Sequence, residues 1–133
     1  MDQSEHLPPD SPCCNLDFLE VSLGRNRKTA IRLVGMFVEG YPGLLQRLED
    51  SLADRELVSL GRVLHDIRGN CVLFSAQECL AQTIRLEGLL RTVSASSGSA
   101  ANSINWQAEG GILQAALERL HGELCAYLSA ASP

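Results

Sequence analysis

Residues 55–73 decide the fold, and they read RELVSLGRVLHDIRGNCVL. Apolar side chains recur in this stretch at intervals of three and four residues, the spacing that places them on one face of an α-helix. The members of this stripe are Leu57, Leu60, Leu64, Ile67 and Cys71. The stretch therefore predicts an amphipathic helix whose stripe packs into a core, with Asp54 as the residue that caps its N-terminus.

Similar stripes predict two helices before this stretch. A short helix is expected over residues 17–24, where a glycine ends it, and a long helix is expected over residues 27–53. Gly40, Pro42 and Gly43 interrupt the long pattern, because proline removes a helical hydrogen bond and glycine weakens a helix. We therefore expect either a kink near this proline or two abutting helices.

Two more helices are predicted after the central stretch. Ser75 and Glu78 have the spacing of a capping box, which indicates a helix that starts after Ser75 and runs to Val93. A polar loop over residues 94–103 separates it from a last helix over 105–130. No stretch alternates between apolar and polar residues with a period of two, so no strand is expected. The sequence predicts an all-α protein, an antiparallel up-down four-helix bundle with a short extra N-terminal helix.

The composition limits the domain organisation and the classes of partner. The 133 residues predict one domain over residues 16–133, preceded by a proline-containing leader over residues 1–15 that is expected to be disordered. The net charge of -5 argues against binding to nucleic-acid phosphates or to an anionic membrane. Neither a membrane-spanning run nor a signal peptide is visible. We therefore expect a cytoplasmic protein with no nucleic-acid partner and no direct membrane contact.

The five cysteines do not form a pattern typical of a metal site or a disulfide framework. They include no pair with CxxC spacing, and Cys71, Cys79 and Cys125 lie within apolar patterns, which is typical of small core residues. The common signatures of hydrolases, nucleotide-binding loops and zinc proteases are also missing. The sequence therefore predicts no metal site, and the histidines become the residues of interest.

His65 has neighbours that suggest a chemical role. It follows the core position Leu64, so its side chain should point away from the bundle. Gly61 and Gly69 lie four residues away on either side, although each glycine in a helix costs about 1 kcal/mol relative to alanine. Bare backbone leaves room for a large incoming group, and Arg68 can reach a negative charge attached to the imidazole. This arrangement favours a transient phosphoryl carrier; the alternative is a surface histidine whose glycines permit close helix packing.

The stretch HDIRGNCVLFSA at residues 65–76, followed by Leu86 and Glu87, resembles the histidine-containing phosphotransfer (Hpt) domain. The family pattern has a histidine, any residue, an aliphatic residue, Lys or Arg and then Gly, followed farther on by a Gly-Ala pair and a Leu-Glu pair. Ser75 stands where that family has the glycine of the Gly-Ala pair. The segment around Pro42 also resembles the family's kinked helix, so the resemblance covers about residues 16–130. The proline-containing leader favours a module from a bacterial hybrid sensor kinase over a stand-alone protein.

The resemblance implies a four-helix bundle that works in a phosphorelay. In such a relay His65 accepts a phosphoryl group at Nε2 from the aspartyl phosphate of a receiver domain and passes it to a response-regulator Asp. Arg68 would screen the phosphoryl charge, Gly69 would keep the approach open, and Glu87 would accept a hydrogen bond from Nδ1–H of His65. The implied partners are receiver domains and a cognate sensor kinase. No cofactor is expected on this chain, because the receiver supplies Mg²⁺.

A receiver that reaches His65 must cover the face of the helix around it. Gly61, Arg62 and Val72 are the expected contact residues, with Val58 at the edge of the same face. Two other functions stay open: a docking module that binds a receiver or kinase without carrying phosphate, and a helical bundle that binds a ligand or metal through histidine and cysteine side chains.

Overall fold

The structure is a computed structural model that describes residues 13–95 and 104–131. Within these ranges every regular element is an α-helix. The helices are α1 (Leu16–Ser22), α2 (Arg27–Asp54), α3 (Leu57–Leu73), α4 (Gln77–Ala95) and α5 (Trp106–Ala131). Residues 1–12 of the predicted leader and residues 96–103 of the predicted loop lie outside the described part.

The four long helices form a ring in which each helix packs on two others. α2 packs on α3, α3 on α4, α4 on α5 and α5 on α2, while α1 packs on α2. Side-chain pairs show that α4 and α5 run antiparallel. Glu78 near the start of α4 pairs with Arg119 in the middle of α5, whereas Arg85 farther along α4 pairs with Glu109 near the start of α5. The predicted all-α bundle with an extra N-terminal helix is confirmed.

α3 presents most of its predicted apolar stripe to the core. Leu60, Leu64, Ile67 and Cys71 are buried, and Leu57 at the start of the helix is partly buried. Burial of one such leucine or isoleucine side chain contributes about 1.5–3 kcal/mol, so this stripe fixes which face of α3 meets solvent. The core also contains Val63, on the same buried face of α3.

α2 is one helix that contains Pro42, so the predicted division into two abutting helices is wrong. Proline in a helix interior costs about 3 kcal/mol, since it removes one hydrogen bond and crowds the preceding turn. Buried side chains before and after the proline hold both halves of α2 on the same core. They include Val34, Phe37, Tyr41, Leu48 and Leu52.

The predicted cap at Asp54 is also wrong, because Asp54 is the last residue of α2. Arg55 follows in the left-handed conformation with φ of 52°, which ends α2 and turns the chain towards α3. α3 begins after Glu56, whose side chain makes no capping hydrogen bond. The caps that do form are asparagines: Asn15, Asn26 and Asn105 accept backbone N–H groups at the starts of α1, α2 and α5.

Ser75 ends α3 and does not cap α4, in contrast to the sequence prediction. Its φ is 54°, and its backbone N–H donates to the carbonyl of Val72 at 3.2 Å. Glu78 pairs with Arg119 of α5, so its carboxylate does not complete a capping box. The backbone N–H of Asn15 donates to the carbonyl of Phe74 at 2.9 Å, which attaches the chain before α1 to this same turn.

Ser75→Gly is expected to stabilise the protein. A left-handed conformation costs an L-residue about 1–2 kcal/mol, and part of this is offset by the greater freedom of glycine in the unfolded chain, which leaves a gain of about 0.5–1 kcal/mol. Urea denaturation followed by circular dichroism measures this change. Ser59→Gly, at an exposed position inside α3, is the matched control and should destabilise by a few tenths of a kcal/mol. A loss of stability in both variants would contradict the strain assigned to Ser75.

α5 approaches α2 closely at Gly110. A Cβ atom on Gly110 would lie 2.9 Å from Cδ2 of Leu52 and would also overlap Cδ1 of that side chain, which belongs to the buried core. At the next residue, Gly111, no atom lies within 4 Å of the corresponding Cβ position. Gly110 therefore lets the two helices meet, whereas Gly111 has no such packing role.

Gly110→Ala and Gly111→Ala should change stability in opposite directions. The first forces Leu52 to move within a packed core and is expected to destabilise by about 1–3 kcal/mol. The second gains helix propensity without a clash and is expected to stabilise by up to about 1 kcal/mol. Thermal and urea unfolding of both variants test this contrast, and equal effects would show that α2 and α5 do not meet at Gly110.

Candidate functional site

His65 lies on the solvent side of α3, as the sequence predicts. Its side chain is exposed, while the preceding residue Leu64 is fully buried. Within the described ranges, no hydrogen bond, ion pair or ring contact joins its imidazole to another side chain. No described side chain therefore occupies either ring nitrogen, which leaves the imidazole free to react with an incoming phosphorus atom.

The two glycines beside His65 have different surroundings. Gly69 is exposed, and no atom lies within 4 Å of the position that its Cβ would occupy. Gly61 is half-buried, and a Cβ there would lie 3.3 Å from Cδ2 of Leu90 on α4. The open space that the sequence predicts on both sides of His65 is thus present beside Gly69, whereas Gly61 allows close packing of α3 on α4.

Arg68 extends towards α4 and bonds a carboxylate there. Its Nη1 donates to Oε1 of Glu87 at 3.0 Å, and the side chains of Arg68 and Glu87 are 49% and 15% exposed. In the part of the chain that the structure describes, no hydrogen bond joins Glu87 to His65. The predicted hydrogen bond from Nδ1–H of His65 to Glu87 is therefore not formed here, and this carboxylate bonds Arg68 instead.

A second ion pair lies on the opposite side of His65. Nη1 of Arg47 on α2 is 2.8 Å from Oδ2 of Asp66, and both side chains are about half-exposed. His65 therefore stands between a pair that links α3 to α2 and a pair that links α3 to α4. The sequence analysis did not find this second pair, since Arg47 and Asp66 are far apart in the chain and carry no local pattern.

Helical geometry explains why Arg68 pairs with a residue of α4 while Asp66 pairs with a residue of α2. At about 100° per residue, Arg68 is rotated about 60° from His65 towards one side, while Gly69 is rotated about 40° towards the other. Arg68 therefore faces α4, and Asp66, on the same side of His65 as Gly69, faces α2. Gly61 is rotated to the α4 side, which is consistent with its contact with Leu90.

Exposed valines extend the His65 face in both directions. Val58 and Val72, seven residues before and after His65, are 66% and 61% exposed. Seven residues are close to two helical turns, so the three side chains share one face over roughly 20 Å. Arg62, also exposed, lies between Val58 and His65. This exposed face therefore has apolar side chains at both ends and the side chains of Arg62 and His65 at its centre.

Among the described residues, the other histidine and cysteine side chains do not form a second site of comparable openness. His121 stacks on Tyr41 with ring centroids 4.2 Å apart, and its Nε2 is 3.6 Å from Sγ of the half-buried Cys125. Cys71 and Cys79 are buried, and burial raises the pKa of the Cys14 thiol to about 12. Among the residues described, no group of three or more His, Cys, Asp and Glu side chains could hold a metal ion.

None of the helices described combines the length and the apolar character needed to cross a membrane. In a comparison with protein families, the family model described as the Hpt domain matches residues 32–123. No curated protein and no solved structure matched the chain. The matched range covers well over half of the sequence and contains His65, Arg68, Gly69 and Glu87.

Proposed function

This chain belongs to the Hpt domain family, and we propose that it carries a phosphoryl group on His65 between receiver domains of a two-component phosphorelay. Membership in the family supports a phosphotransfer role in two-component signalling. The observation that carries the assignment to His65 is its exposed imidazole on a helix with open space at Gly69 and a cation at Arg68. No described side chain makes a hydrogen bond, ion pair or ring contact with this imidazole.

The chemistry proposed for His65 is a reversible transfer between nitrogen and oxygen. The lone pair on Nε2 of the neutral imidazole attacks the phosphorus of a receiver's aspartyl phosphate. A P–N bond forms, the P–O bond to the aspartate breaks, and the receiver carboxylate leaves with the electron pair while the proton stays on Nδ1. A second receiver reverses these steps with its own aspartate. The Mg²⁺ that assists both steps belongs to the receiver.

Arg68 and Gly69 have separate proposed roles. Arg68 is one helical turn from His65, and its guanidinium can bond the oxygens of a phosphoryl group by charge-assisted hydrogen bonds. Gly69 leaves the surface beside the imidazole free, so that the receiver's aspartate can approach. Neither role requires a movement of the α3 backbone, which the buried stripe holds in place.

The proposed docking surface is the exposed face of α3 around His65. Val58 and Val72 offer apolar contact at its ends, and Arg62 adds a basic group that acidic residues of a partner can meet. The partners are response-regulator receiver domains and the cognate sensor kinase. A small contact suits a relay, because each partner must dissociate after the transfer.

Incubation with a phosphorylated receiver domain should label wild-type protein, and His65→Gln should take up no label. The glutamine side chain keeps a polar group at this exposed position but has no nucleophilic ring nitrogen. Acid-labile, base-stable radiolabel on the separated protein, with tandem mass spectrometry of the modified peptide, measures the outcome. A folded wild-type protein that binds receivers but accepts label from none of them would support the docking-only function.

Gly69→Leu should reduce transfer from a receiver by tenfold or more, because the leucine side chain would fill the open space beside His65 and displace the receiver's aspartate. A displacement of about 1 Å between reacting groups can change a rate by about a hundredfold. The loss cannot come from unfolding, since replacing an exposed helical glycine raises helix stability by up to about 1 kcal/mol. Gly122→Leu on α5, which packs on α2 and α4, is the matched control: Gly122 is also exposed with no atom within 4 Å of its Cβ position. Equal transfer rates in both variants would remove Gly69 from the proposed approach.

A further inference from the structure

The guanidinium of Arg68 is already engaged in the unphosphorylated protein. It bonds Oε1 of Glu87 on α4, and among the described residues no hydrogen bond or ring contact joins it to His65. The side chain of Glu87 is only 15% exposed, so its charge is less well hydrated than that of a fully exposed carboxylate and benefits from the cation. Arg68 is thus held on the α4 side of His65 by a specific partner.

We propose that the Arg68–Glu87 ion pair is a latch that competes with a phosphoryl group on His65 for the guanidinium, so that Glu87 sets how strongly the protein retains that phosphoryl group. This inference rests on the function proposed above and adds a positioning role for Glu87, which acts on the phosphoryl group through Arg68.

A phosphoryl group on His65 introduces a competitor for the guanidinium. It carries up to two negative charges and three acceptor oxygens, one helical turn from Arg68. The guanidinium of Arg68 lies on the side of α3 that faces α4, rotated about 60° from His65. Its bond with Glu87 holds it there, so the phosphoryl oxygens compete with Glu87 for the guanidinium. The free energy of that contact opposes phosphorylation and favours transfer to the next acceptor.

The pair on the other side of His65 provides an internal comparison. Asp66 is adjacent to His65 in the chain, but its side chain forms an ion pair with Arg47 of α2 and none with Arg68. Asp66→Asn therefore removes one negative charge and one ion pair beside His65 while it leaves the Arg68–Glu87 pair intact. An effect of Glu87→Gln that Asp66→Asn does not reproduce is therefore due to the release of Arg68, and not only to the loss of a negative charge near His65.

The test uses phosphoramidate as a small phosphoryl donor, which removes the need for a cognate receiver. Nε2 of His65 attacks its phosphorus and forms a new P–N bond, the P–N bond to the protonated amine breaks, and ammonia leaves with the electron pair of that bond while Nδ1 keeps its proton. A ³¹P NMR titration near neutral pH then follows the loss of the Nδ1 proton from the phosphorylated imidazole, whose resonance is identified by its absence in His65→Gln. A guanidinium that bonds the phosphoryl oxygens is a like charge beside the protonated ring and disfavours it, so the acid dissociation constant rises as Arg68 engages the phosphoryl group.

Glu87→Gln should raise this dissociation constant about threefold, the size expected from an ion pair of modest strength. Asp66→Asn should change it much less. Arg68→Gln should lower the dissociation constant. In a protein that already carries Arg68→Gln, the further change Glu87→Gln should have no more effect than Asp66→Asn, because the latch has lost its cation. Circular dichroism and urea denaturation show whether all variants are folded. Their helical signals should be equal, and their urea midpoints should differ only by the small change in the free energy of unfolding that the loss of an exposed ion pair causes.

Two results would overturn the latch. Equal effects of Glu87→Gln and Asp66→Asn would show that Glu87 is only a nearby charge, and an undiminished effect of Glu87→Gln without Arg68 would show that it acts directly on His65. Failure of the carrier role gives a different result, because phosphoramidate can label His65 even where no receiver does. A His65 that takes up no phosphoryl group from either donor would overturn both proposals.

Discussion

The arrangement of the site depends on the burial of one face of α3. Leu60, Leu64 and Ile67 must all lie in the core, and together they leave α3 a single orientation about its own axis. Adjacent residues on an α-helix are rotated by about 100°, so a buried Leu64 directs His65 away from the core. The exposure of the imidazole is therefore a consequence of core packing, and side chains around it do not have to hold it there.

The ion pairs beside His65 have a different physical character from the core. Exposed pairs contribute about 0–1 kcal/mol each, far less than the buried stripe of α3. Such pairs can exchange partners at low cost while the backbone stays fixed. A rigid helix that carries rearrangeable charges suits a group-transfer site, because charge can be redistributed around His65 without a change in its position.

The sequence predicts the bundle and the outward direction of His65, because both follow from apolar periodicity within one helix. It does not predict how α2 and α3 end. Ser75 and Arg55 adopt left-handed conformations that serine and arginine rarely favour, and this strain is imposed by the packing of the connected helices. The Arg68–Glu87 pair is equally invisible to local patterns, since it depends on the register between α3 and α4.

Gly61 and Gly69 show where sequence reasoning about the site reaches its limit. Both lie four residues from His65, and spacing along the chain gives them the same role. On the helix, however, they are rotated about 40° from His65 in opposite directions. The position of α4 decides the rest: Gly61 turns towards Leu90 and becomes a packing residue, whereas Gly69 keeps open space beside the imidazole. The same rotation places Arg68 within reach of Glu87, so packing of α4 on one side of α3 both encloses Gly61 and supplies the carboxylate that holds the cation.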